Sequence, residues 1–147
     1  MRQNRHWWIA GAVLAVVIVA IAVSQIFFKG TSQECRPVRE LLDFNATQAA
    51  LIKSKATDDS DAPIASYQVW ADGLAERAGK VTDTKLAASA VTLADLASQF
   101  VAKLPAVQAP TQAGSVMTQA PPEAYQLVAL NDQITSQIQA LTKECPN

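Results

Sequence analysis

The sequence has one histidine, five glycines and two cysteines in 147 residues. With His6 as the only imidazole, no Ser/His/Asp or Cys/His site can be built beyond the N-terminal segment. Few glycines and 27 alanines argue against a turn-rich all-β fold and favour helices. Charge is also short: Asp, Glu, Lys and Arg make up 17% of the chain, against roughly a quarter in soluble domains. Twelve basic residues against thirteen acidic ones leave a net charge of −1. That balance excludes a strongly basic nucleic-acid binder. The sequence has no G-x-x-x-x-G-K-S/T, G-x-G-x-x-G or G-x-S-x-G, so the phosphate-cradling loops and the nucleophile elbow are missing. No enzymatic activity, cofactor, metal or small-molecule substrate is expected.

The missing charge is concentrated in one place. From Trp7 to Phe28 the chain reads WWIAGAVLAVVIVAIAVSQIFF, with no charged residue. As a helix this run spans roughly 33 Å, enough for a hydrocarbon core of about 30 Å. Trp7 and Trp8 at one end and Phe27 and Phe28 at the other fit the aromatic belts of a membrane helix. The competing reading is a cleaved leader with Arg2 and Arg5 as its basic region and Ala20-Ile21-Ala22 as its small-residue site. Apolar character resumes at Ile26, where a mature secreted chain turns polar, so residues 7–28 are read as an uncleaved signal-anchor. Residues 1–6 are then a short cytoplasmic head, and residues 29–147 an extracytoplasmic domain in the cell membrane's outer compartment. Basic residues flank both ends of the run, so the orientation rests on the short head and on the two cysteines of the distal part.

Beyond Lys29 the apolar residues recur at steps of three and four, the amphipathic-helix signal. Four helices are predicted. The first starts at Pro37, with the stripe Val38, Leu42, Asn45, Ala49, Ile52. The second starts at Pro63, with Ile64, Tyr67, Ala71, Leu74, Ala78, and stops at Gly79 in a left-handed turn. The third follows the capping candidates Thr82 and Asp83, carries Leu86, Ala90, Leu93, Ala97, Phe100, Leu104, and ends at Pro105. The fourth runs from Pro122 to just before Pro146 with Leu127, Leu130, Ile134, Ile138, Leu141. The fold class is all-α: an N-terminal transmembrane helix followed by an antiparallel four-helix bundle. The 105–121 stretch, PAVQAPTQAGSVMTQAP, reads as an extended, uncharged, mobile linker.

Cys35 precedes the first helix and Cys145 follows the fourth. An up-down-up-down topology brings those two ends together, so a structural disulfide is expected. It would close a loop worth about 4 to 5 kcal/mol in the chain-entropy model. With no C-x-x-C spacing, a redox-active pair has little to support it.

Several weaker signals remain. Asn45 sits on an apolar stripe, either buried to fix register or rotated to solvent. Asn45-Ala46-Thr47 is a glycosylation triplet only in a eukaryotic host. Asp58, Asp59 and Asp61 lack the spacing of a calcium loop and read as a solvated linker. Trp70 lies on the flank of its helix, either covering the bundle edge or facing a partner. Trp70, Pro110 and Met117 are the candidate partner contacts. The alanine-rich composition resembles that of proteins from GC-rich bacterial genomes. The four-helix extracytoplasmic outline resembles bacterial chemoreceptor sensor domains, from which it departs in having one membrane helix and no cytoplasmic output domain. Neither resemblance assigns a site residue.

The expectation is therefore a non-enzymatic, single-pass accessory or scaffolding subunit of a larger bacterial envelope complex, its partners the membrane and other membrane-protein subunits. The other class to weigh is a membrane-anchored bundle that holds a lipid or other apolar ligand. A pocket of several hundred Å³ would favour that second class.

Overall fold

The computed structural model describes residues 33–57, 60–108 and 120–146. A 3-10 turn, Gln33–Cys35, leads into four helices: α1 Arg36–Lys55, α2 Ile64–Ala78, α3 Thr84–Gln108 and α4 Pro122–Glu144. No strand is formed among the described residues, which hold one isolated bridge, Thr57 to Ser60, in the α1–α2 connection. The all-α class and the four-helix count follow the three-four spacing of the apolar residues.

Local chemistry accounts for most of the helix ends. Pro37 occupies the first turn of α1, where a missing N–H costs nothing, and Lys53 and Lys55 sit against the carbonyl end of its dipole. Asp83 caps α3: its Oδ1 accepts the Leu86 N–H at 2.9 Å. Pro122 opens α4 with Glu123 in the first turn, on the favourable side of the dipole.

Two expected ends are corrected. Gly79 is right-handed, with φ −64° and ψ −14°, not left-handed. α2 stops there through a series of short turns, Gly79 N–H to Ala75 O, Lys80 N–H to Arg77 O and Val81 N–H to Ala78 O, that bring Val81 into the core. The third helix does not end at Pro105 but runs through it to Gln108. Proline removes one N–H. Here the following turn is held by tertiary contacts: Leu104 is buried, Val107 packs on the core, and Gln108 Nε2 donates to Ala62 O.

The helices follow one another as antiparallel neighbours. α2 packs on α1, α3 on α2 and α4 on α3, while α1 and α4 meet only narrowly. The expected stripes form the core: Val38, Leu74, Leu93, Leu127 and Ile138 are essentially inaccessible. α3, covered on two sides, buries a wider stripe than expected by adding Ala94 and Leu96. Among the described residues α3 is also the one helix long and apolar enough to cross a membrane. Its place between α2 and α4 gives a core reason for that hydropathy. The N-terminal run 7–28 lies outside the described residues, as do residues 109–119 of the expected linker.

One helix–helix contact turns on a missing side chain. The Phe44 ring of α1 lies against Gly73 of α2, and a Cβ at Gly73 would land on ring atoms Cζ, Cε1 and Cε2. Arg77 lies over the face of the ring, 3.7 Å from its centroid, and ties back to Gly73 O at 3.0 Å. The ring is thus clasped at its tip by the Gly73 backbone and on its face by the guanidinium.

Candidate functional site

Two places gather the chemically distinctive residues. The first is the end of the bundle nearest residue 33. Cys35 and Cys145 form a disulfide there, with Cα atoms 5.3 Å apart across a sequence separation of 110. Both cysteines are buried. Beside them Lys85, in the first turn of α3, pairs with Glu144 in the last turn of α4 at 2.9 Å. The pair is exposed, so it adds little to stability. It does show that the start of α3 lies at the same end as the disulfide, as an up-down-up-down order requires.

The second is the middle of the core. Trp70 from α2 donates its indole N–H to Asn45 Oδ1 on α1 at 2.9 Å. The Phe100 ring of α3 stands edge-on to Trp70, with centroids 6.1 Å apart and planes at 86°. It also meets Tyr67 at 6.1 Å, tilted by 39°. Both separations suit aromatic pairs, and the Trp70–Phe100 pair also has the edge-to-face geometry that ring quadrupoles favour. Tyr67 is buried, and the loss of hydration raises its phenol pKa to about 12, with the Asp61 carboxylate adding to the rise. Asn131 on α4 completes the cluster and is buried as well.

A cavity of about 20 Å³ lies among Asn45, Tyr67, Trp70, Phe100 and Asn131, with apolar side chains from α1 and α4 on its flanks. That is room for one water molecule, far below what a lipid or other apolar ligand needs. Among the described residues no group of three or more His, Cys, Asp or Glu side chains is placed to hold a metal ion.

The sequence-derived site residues have different outcomes. Cys35 and Cys145 are joined. Asn45 is buried, which decides between its two readings. Trp70 is 8% exposed and hydrogen-bonded inward, so of its two readings the partner-facing one is corrected and its place is in the core. The physical reason is that its indole N–H finds an acceptor inside the bundle. Trp7, Trp8, Phe27, Phe28, Pro110 and Met117 lie outside the described residues. Sequence reasoning missed Asn131, which sits one position past Leu130, and it treated Tyr67 only as a stripe residue. Two asparagines on facing helices, each at or beside an apolar stripe, were the available signal.

No protein-family model matches the chain, and neither a curated protein nor a solved structure matches it.

Proposed function

We propose that this chain is a non-enzymatic, single-pass membrane subunit that scaffolds or assists a larger bacterial envelope complex. The observation that supports this reading most is the Cys35–Cys145 disulfide, which ties the two ends of the helical domain together. A buried bond of this kind persists in an oxidising compartment. Six residues, 29–34, separate Cys35 from the apolar run ending at Phe28. A membrane helix at 7–28 therefore enters the domain at its covalently closed end. In this reading the anchor holds the domain at the membrane, and the opposite end, where α1 and α3 finish and α2 and α4 begin, faces outward to meet a partner.

The test is to tag the full chain at its C-terminus in native membranes, solubilise it in mild detergent, and identify what elutes with it. Intact mass should show residues 7–28 retained, and one membrane assembly should co-elute in fixed ratio. Joining α3 to α4 through a short Gly-Ser linker should lower the partner's occupancy in a folded variant. A mature chain beginning at Val23, running alone, would overturn the proposal.

A further inference from the structure

We propose that the bundle holds one ordered water molecule between α1 and α4, bound by Asn45, Tyr67 and Asn131, and that it acts as a polar bridge across the narrow contact of these two helices. The site is built from buried groups. Asn131 is 6% exposed, Asn45 3% and Tyr67 3%. All three line the 20 Å³ cavity. Among the described residues the Asn131 carboxamide has no hydrogen-bonding partner, and neither has the Tyr67 hydroxyl. Asn45 spends its Oδ1 on the Trp70 indole, and its Nδ2 makes no further bond.

A buried amide without a partner costs about 1 to 3 kcal/mol, and such groups are nearly always satisfied in folded proteins. The chemistry of the lining selects the ligand. It has no carboxylate and no ammonium, which disfavours a cation or an anion. It offers donors from two carboxamides, acceptors from Asn131, and a hydroxyl that can be either. A water needs two to four such partners and about 10–15 Å³ or slightly more of room; the cavity has the room and three residues of this kind in its lining. Position adds a second argument. α1 packs on α2, and α4 on α3, but α1 and α4 approach each other little. A bridging water spans a gap that the two backbones leave, with Ile52, Ile134 and Ile138 as its apolar flanks.

The experiment is NMR on the full chain in detergent micelles. Long-lived water should give cross-peaks to the side-chain amide of Asn131 and to the ring of Tyr67. Asn131→Leu should abolish them while the Trp70 indole N–H stays protected by Asn45, with a Tm equal to or above wild type. Xenon pressure should leave the Ile134 and Ile138 methyl shifts unchanged, because the cavity is already filled. Absent water cross-peaks, xenon-induced shifts of those methyls, or water cross-peaks that survive in Asn131→Leu would each overturn the proposal. The wild-type measurement stands by itself if the variant fails to fold.

Discussion

The Trp70 indole N–H donates to Asn45 Oδ1 across 25 residues of sequence, fixing α2 against α1 from inside the core. The bond makes one polar group on each helix depend on the other. It therefore specifies the register of the pair as well as stabilising it. Asn45→Ala leaves a buried donor without a partner and should destabilise the domain by about 1 to 3 kcal/mol. Trp70→Phe should also destabilise, and the double variant should cost less than the two singles summed, by about 0.5 kcal/mol or more. Urea denaturation of the four proteins checks this, and strict additivity would show that the bond carries no coupling.

Removing the disulfide should be the largest single loss. Cys35→Ser releases the constraint on a loop with a separation of 110 residues, which the chain-entropy model puts at about 4 to 5 kcal/mol. For a domain of this size the fall in Tm is of order 10 °C or more. Dithiothreitol should produce the same fall in the wild-type chain and none in the variant. Thermal melts followed by circular dichroism give both numbers.

At Gly73 two effects oppose each other, and the neighbour decides the sign. Alanine raises helix propensity by about 1 kcal/mol, but its Cβ would displace the Phe44 ring from beneath Arg77. Overpacking of this kind costs about 1 to 3 kcal/mol. Gly73→Ala should therefore destabilise the wild-type chain by up to about 2 kcal/mol. In a Phe44→Ala background the same change should stabilise, because the obstacle is gone. A destabilising effect of equal size in both backgrounds would refute the clasp.

Tyr67 gives the fold an alkaline limit. Its phenol titrates near 12 in the folded chain, against 10 as its ordinary value, because burial disfavours the phenolate. Its contribution to stability is complete below pH 10. Above that the unfolded chain releases its proton first, and the contribution falls away as pH rises toward 12. The loss is about 2 to 3 kcal/mol, at 1.4 kcal/mol per pH unit. Denaturant midpoints measured from pH 9 to pH 12 should decline, and Tyr67→Phe should flatten that part of the decline.

The sequence by itself determined the helices, their buried stripes and the pairing of the cysteines. Those follow from local rules: a period of 3.6, prolines in opening turns, and an antiparallel order that returns the end of α4 to the start of α1. It misplaced the two ends that tertiary contacts control. Pro105 looked like a stop because proline removes a hydrogen bond, but Leu104, Val107 and Gln108 hold the next turn to the bundle. Gly79 looked like a left-handed cap, but it is right-handed and a run of short turns carries Val81 into the core instead. Only the tertiary structure decided what Trp70, Asn45 and Asn131 do. A residue's place on a helical wheel gives its direction to within a flank, whereas a hydrogen bond needs its partner within 3 Å on another helix. That distance depends on how far apart the backbones stand, and the size of every intervening side chain sets it together.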